Sequence, residues 1–349
     1  MLGRIVLSVV SVVVGLLFLE LGLRLVEGGP KALMEWPNYV REQRIASRNH
    51  SGARATPDPV LGFVGLSNFA STDFNYDGRG FRVTPAPRGA TLKEPPILAV
   101  GGSFTLGEEV ADRETYPTYL QALTGRRVIN AGMSAYGVDQ MAMRAEIVAK
   151  QEKLAAIVLG FGADNLRRSE MSRVWGIEKP YYQTVAGELV LRNVPVPASP
   201  DPATTLDVWQ RLFGRSMLID FVLKRLGFQY EWSLDHVRVA PRGEGARQAC
   251  LLFKRLAAFK VPVVIVAEYD PYLWTDPPYM REQKQITDSV LACAEQVGFA
   301  TVDPFAAIDQ AMRTVGRGLY YRPGEHFSPA GHEMIAGLIA GALRRLGVS

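Results

Sequence analysis

The 349-residue chain is short of the residues that build metal centres and disulfide scaffolds, with two cysteines and four histidines. Neither type falls at metal-ligand spacing, so no metal is expected, and no cofactor is expected either. Cys250 and Cys293 lie in amphipathic helical patterns. Helices flanking different strands rarely align well enough for a bridge, so two buried thiols are expected. The formal net charge is only +4, and no basic stripe interleaved with aromatics is present, which argues against nucleic acid as a partner. Internal repeats and low-complexity tracts are absent as well. At 48% hydrophobic and 21% charged residues, the composition suits a large buried core and excludes bulk disorder.

One long apolar run stands out at the N-terminus. Ile5 through Leu19 is almost uninterrupted, and Leu21 to Val26 extends it, with Glu20 and Arg24 at i,i+4 spacing and able to pair on one face. No small-x-small cleavage site follows, so an uncleaved signal anchor over residues 1–27 is expected, with the cytoplasmic membrane as its partner. Arg4 precedes the run. Its retention inside makes this a single-pass protein whose remaining chain, in a bacterium, faces the periplasm.

Residues 28–90 read as a juxtamembrane helical segment followed by irregular strands and turns. From residue 91 onward, apolar strands are expected near Ile97–Val100, Arg127–Asn130, Ala156–Phe161, Val261–Ala267 and Ala300–Asp303. Helical patterns fall at Tyr116–Leu123, Val138–Gln151, Ala246–Phe259, Arg281–Gln296 and Pro329–Leu346. This alternation predicts an α/β fold with a three-layer, doubly wound parallel sheet. A long interruption from about 166 to 245 leaves a strand's C-terminal edge and is expected to act as a cap or rim. Within it, Lys179-Pro180-Tyr181-Tyr182 and Asn193-Val194-Pro195-Val196-Pro197 fit either a turn-rich excursion or substrate contact. Trp175, Tyr181, Tyr182 and Trp209 suit sugar stacking or the pinning of a cap.

The strand Pro96-Ile97-Leu98-Ala99-Val100 runs into Gly101-Gly102-Ser103-Phe104-Thr105-Leu106-Gly107. The glycines permit a sharp turn that leaves Ser103 opening a helix at the strand's C-terminal edge, where ligands bind in open α/β sheets. Far along the chain, His326 precedes Ser328-Pro329, an N-cap and N1 pair, which places it in the loop entering the last helix. Ser103 as nucleophile and His326 as its base are the expected pair, with His332 a weaker candidate for base.

These segments resemble the SGNH, or GDSL-type, hydrolase superfamily, and within it membrane-anchored bacterial members with a flavodoxin-like sheet. Gly101 to Gly107 resembles the nucleophile block. Asn130-Ala131-Gly132-Met133-Ser134-Ala135-Tyr136-Gly137 resembles the second block, Leu159-Gly160-Phe161-Gly162-Ala163-Asp164-Asn165 the third, and Gly324-Glu325-His326 with Ser-Pro-Ala-Gly-His the last. The resemblance implies an oxyanion hole from the amides of Ser103 and Gly132 with the side chain of Asn165. It also shows three departures: Gly102 and Pro323 stand where the family has aspartates, and Asp164-Asn165 stands where it commonly has Asn-Asp, so the side-chain oxyanion donor is either Asn165 or absent. A Ser-His dyad therefore takes the place of a full triad, with Asp164, Asp303 or Glu325 as the possible acid or orienting residue. The implied chemistry is acyl transfer from an acylated, chiefly O-acetylated, envelope carbohydrate or other small ester, to water or to another hydroxyl. A catalytically inactive domain that binds or organises an envelope polysaccharide is the alternative, and a lipid-directed lipase or thioesterase would need an apolar acyl channel.

Overall fold

Five apolar segments pair side by side and all run in one direction: β1 (Lys93–Val100), β2 (Arg126–Asn130), β3 (Ala156–Phe161), β4 (Val263–Ala267) and β5 (Ala300–Val302), in the order β5-β4-β3-β1-β2. Every residue of β3 and β4 is buried. Such strands carry no polar alternation because helices cover both faces of the sheet. The computed structural model describes residues 2–51, 54–174, 177–197, 206–228, 232–233, 244–314 and 326–348.

The helices, in chain order, are α1 (Leu2–Gly28), α2 (Tyr39–Ser51), α3 (Ser103–Leu106), α4 (Tyr116–Thr124), α5 (Val138–Gln151), α6 (Ala163–Ser169), α7 (Val208–Phe213), α8 (Met217–Arg225), α9 (Glu244–Ala257), α10 (Pro277–Gln296), α11 (Phe305–Thr314) and α12 (Pro329–Arg345). The expected strands and helices of the sheet region are all present, with ends shifted by a few residues. Helix α11 was not anticipated. Strand order reverses between β1 and β3, so the crevice outside their carboxyl ends is the switch point at which open α/β sheets bind ligands.

The cysteines depart from expectation. Cys250 on α9 and Cys293 on α10 form a disulfide, with Cα atoms 5.8 Å apart. The two helices lie on either side of β4 in sequence but pack directly against each other, so the Cβ atoms come within bridging range.

The chain divides into two compact units. The first comprises Met1–Ala53, Arg173–Ile177 and Ala198–Val237, and the second holds the sheet with Arg54–Ser172, Glu178–Pro197 and Arg238–Ser349. The long interruption is thus shared between them. In the first unit, α1 is long and apolar enough to cross a membrane, and 6% of its most apolar window is buried. Glu20 and Arg24 pair as their spacing implied, through Nε and Oε1 at 2.6 Å. Arg24 is fully buried, donates from Nη1 to the carbonyls of Ala32 and Glu35 at 2.9 Å each, and lies 3.6 Å from the centre of the Trp36 ring. Glu20 accepts from the Met217 and Leu218 amides at 2.9 and 2.8 Å and from Ser216 Oγ at 2.8 Å, satisfying the first donors of α8.

In the second unit, Lys179 and Tyr182 are both buried within the fold. The hydroxyl of Tyr182 accepts from Arg255 Nη1 at 2.9 Å. Lys179 Nζ donates to Asp139 Oδ2 at 2.6 Å and to the carbonyls of Pro180, Met171 and Arg168 at 2.8, 3.1 and 3.3 Å. Burial lowers the lysine pKa and raises that of Asp139, and their mutual attraction opposes both shifts. Trp175 lies outside the described residues. Because one partner alone would leave a buried uncompensated charge, Lys179→Met should destabilise the chain by about 3–5 kcal/mol. Adding Asp139→Asn should recover part of the loss. Thermal unfolding of the single and double variants checks both, and equal Tm values for wild type and Lys179→Met would refute the pairing as a structural element.

Candidate active site

Strand β1 ends at Val100, and the chain turns so tightly that a Cβ on Gly101 would lie 1.9 Å from Thr105 Oγ1 and 2.9 Å from the carbonyl oxygen of Gly160. That closeness requires glycine. Ser103 opens α3 directly after Gly102, and its Oγ stands 2.8 Å from His326 Nε2. His326 comes from the loop just before α12, which is started by Ser328, whose side chain accepts from the Gly331 amide, and by Pro329. The Phe104 ring packs on both His326 and Phe327, with centroids 4.9 and 4.8 Å apart, and so holds the imidazole beside Ser103.

On the far side of the imidazole stands Glu109. Its Oε1 lies 3.6 Å from His326 Nδ1, and its Oε2 accepts from the His326 backbone amide at 3.2 Å. Of the acids expected for this role, Asp303 and Asp164 are engaged elsewhere. Asp303 is engaged with the Tyr269 hydroxyl and the Phe305 amide, both at 2.9 Å, and with Lys284 at 3.1 Å. Asp164 lines the crevice beside Ser103 and faces Arg168 at 3.6 Å. Glu325 and Pro323 lie outside the described residues. The one signal for Glu109 was its place six residues after the serine, just past Gly107, whose φ of 81° turns the chain back. His332 is buried, and its Nδ1 accepts from the Tyr116 amide at 3.2 Å, a packing role.

The amide of Gly132 donates to Asn130 Oδ1 at 3.1 Å, a bond within its own turn. A Cβ there would lie 2.5 Å from the Leu106 nitrogen, so this glycine lets the turn pack against the backbone of α3. Two donors remain near Ser103 Oγ. The amide of Ser103, first in its helix, has no intrahelical acceptor. Asn165 spends Oδ1 on the Gly162 amide at 2.7 Å and one Nδ2 hydrogen on the Tyr136 carbonyl at 2.9 Å, leaving the second hydrogen beside Gly102.

The crevice at this point has a volume of about 70 Å³ and is lined by Ser103, Asn165 and His326 together with Glu268. Pockets for drug-sized ligands run to roughly 300–1,000 Å³, so this one suits a short acyl group. Glu268, immediately after β4, is fully buried beneath α3. Its Oε1 accepts from Thr105 Oγ1 at 2.9 Å, Thr105 Oγ1 lies 3.0 Å from the Tyr116 hydroxyl, and Glu268 Oε2 has no partner. Burial pushes the Glu268 pKa up to about 8, against a smaller opposing effect of the Thr105 hydrogen bond.

No family model matches the chain, and no curated protein does. Among solved structures it is similar to an alpha/beta hydrolase enzyme from the metagenome of Lake Arreo, Spain, with 15% identity and a TM-score of 0.45 over 74% of this chain and 98% of that one. A catalytic mutant of an acetylxylan esterase from Geobacillus stearothermophilus shows 18% identity and a TM-score of 0.46 over 74% and 97% of the two chains. A protein of the G-D-S-L family from Desulfitobacterium hafniense DCB-2 shows 12% identity and a TM-score of 0.38 over 71% and 99%.

A carboxyl that is neutral when folded but ionised when unfolded makes stability fall with rising pH between its two pKa values. For Glu268 the window runs from 4.5, its ordinary value, to about 8. Glu268→Gln removes this dependence. The variant should match wild type below the window and gain on it as pH rises, reaching an advantage on the order of a few kcal/mol at pH 8 and above. Tm measured across pH checks this, and parallel profiles would show that Glu268 is ionised in the folded state.

Proposed function

We propose that this chain is a serine-dependent acyl ester hydrolase or O-acyltransferase of the SGNH/GDSL type, acting on O-acylated, chiefly O-acetylated, envelope carbohydrate. The observation that carries the reading is the 2.8 Å contact between Ser103 Oγ and His326 Nε2, at the switch point of the sheet. Ser103 Oγ attacks the ester carbonyl as its proton passes to His326 Nε2. The Ser103 amide and the second Asn165 Nδ2 hydrogen stabilise the oxyanion that forms. Glu109, beside Nδ1, holds the imidazole orientation and balances the imidazolium, the part the sequence assigned to Asp164, Asp303 or Glu325. Collapse expels the alcohol, which takes the proton from Nε2 and leaves an acyl-Ser103 ester. Water, or the hydroxyl of a second sugar, then attacks that ester with His326 again as base, restoring Ser103.

The small crevice supports a short acyl group over a fatty one, and its polar wall, which includes Asp164, Arg168 and Asp270, suits the hydroxyls of a sugar acceptor. The apolar α1 helix supports an anchor in the cytoplasmic membrane, and the Cys250–Cys293 bridge supports an oxidising compartment such as the periplasm.

A fluorophosphonate probe should label the full-length protein in membranes and fail to label Ser103→Ala. His326→Ala should lower hydrolysis of an activated acetyl ester by about 10²–10⁴-fold, Glu109→Gln by at least about tenfold, and an octanoyl ester should be a poor substrate. Absence of labelling in the wild type would replace the enzyme with the inactive polysaccharide-binding domain. Carbonate washing should leave the protein in membranes, and protease added to spheroplasts should digest the sheet unit while cytoplasmic markers survive. Protection of that unit would place it in the cytoplasm.

A further inference from the structure

Helices α7 and α8 are built inside out. On α7, Val208, Trp209, Leu212 and Phe213 are exposed at 53%, 63%, 63% and 43%, while Gln210 is 3% exposed. On α8 and just after it, Phe221, Val222 and Leu226 are exposed at 36%, 42% and 64%, while Asp220 is 8% exposed. Apolar side chains at i, i+1, i+4 and i+5 on α7, and at i, i+1 and i+5 on α8 and its end, therefore face outward, with a polar side chain of each helix turned inward. Trp209 and Phe213 stack in parallel, with centroids 6.0 Å apart, and stabilise the outward face without burying it. The buried groups are satisfied within the unit: Gln210 Nε2 donates to the Trp232 carbonyl at 2.6 Å, and Asp220 Oδ1 accepts from Trp232 Nε1 at 3.2 Å. Water is the wrong solvent for such a surface.

The length of α1 says what covers it. Ile5–Leu19 spans only about 22 Å at ~1.5 Å per residue, whereas Ile5–Val26 spans about 33 Å, and the hydrocarbon core of a bilayer is about 30 Å thick. A spanning α1 must therefore be embedded as far as the turns that carry Glu20 and Arg24. There the charged pair is sheltered by the Pro30–Leu33 turn and by the N-terminus of α8, which Glu20 caps. Helix α8 consequently sits at the depth of the interface, and its outward face meets lipid.

We propose that α7 and α8 form an interfacial foot, with their aromatic and aliphatic stripes seated in the phospholipid leaflet from which α1 emerges. This rests on α1 spanning the membrane. Lys224, bonded to Asp220 at 2.7 Å, and Arg225, whose guanidinium lies 5.1 Å from the Phe221 ring centre, carry cationic heads on apolar stems and reach lipid phosphates from that position. A groove of about 460 Å³ between α1 and α8, walled by Leu23, Met217 and Phe221 and rimmed by Lys224, Arg225 and Glu27, offers room for part of a lipid molecule.

The test uses full-length protein in vesicles of phosphatidylethanolamine and phosphatidylglycerol, with the native disulfide intact and a nitroxide attached in turn at Leu212→Cys, Val222→Cys and, on the span, Val13→Cys. Oxygen should outcompete a water-soluble nickel chelate at positions 212 and 222, at a shallower depth than at position 13. If 212 and 222 are open to the nickel chelate while 13 is not, the foot is wrong and the span stands. If 13 itself is open to nickel, the span is wrong and the foot falls with it. If 212 and 222 are shielded from both reagents, they pack against protein, a second copy or another partner, and lipid is not the occupant.

Discussion

The site hangs on a close approach at the carboxyl ends of β1, β2 and β3 that leaves no room for side chains. Gly101, Gly132 and Gly160 each leave no room for a Cβ, against Thr105, the backbone of α3, and the carboxyl of Glu268 respectively. The Thr105 hydroxyl reaches into the space freed at Gly101 and Gly160. Thr105 Oγ1 meets Glu268 and Tyr116 together, so the short helix that presents Ser103 is tied to β4 and to α4. Burial raises the pKa of this carboxyl, which favours its neutral form beneath α3.

Much of this was legible in the sequence, for local reasons. Strands β3 and β4 are uninterrupted apolar runs flanked by helical periodicity, and the turn at Gly101-Gly102 is written in two residues. Ser103 and His326 could be paired because each sits at a readable boundary, a strand end and a helix start. Glu109 was not readable in this way. Its part depends on the reversal after Gly107, which no periodicity encodes. The bond of the Gly132 amide was not readable either, because its acceptor, Asn130 Oδ1, is a neighbour's side chain whose orientation is a tertiary property. The disulfide was missed because helices on either side of one strand need not lie apart.

The first unit shows a different kind of legibility. The i,i+4 spacing of Glu20 and Arg24 announced a pair, yet nothing in the apolar run announced its partners on α8, roughly two hundred residues away in sequence. The stripes of α7 and α8 have helical periodicity, and periodicity alone assigns an apolar stripe to the core. Only the burial of Gln210 and Asp220 on the opposite faces shows that these stripes point outward.

The placement of Glu109 simplifies how the site assembles. In the pattern that the sequence resembles, an aspartate travels with the histidine; here the carboxylate beside the imidazole, Glu109, sits on the loop that carries the serine, together with Phe104. Serine, aromatic clamp and carboxylate therefore form one local module between β1 and α4, and only the imidazole must arrive from afar. Its arrival is secured on the following residues, where Phe327 packs on Phe104 and the buried His332 accepts from the Tyr116 amide at the start of α4. Tyr116 also meets Thr105 through its hydroxyl. The same tyrosine thus joins the element that carries His326 to the element that presents Ser103.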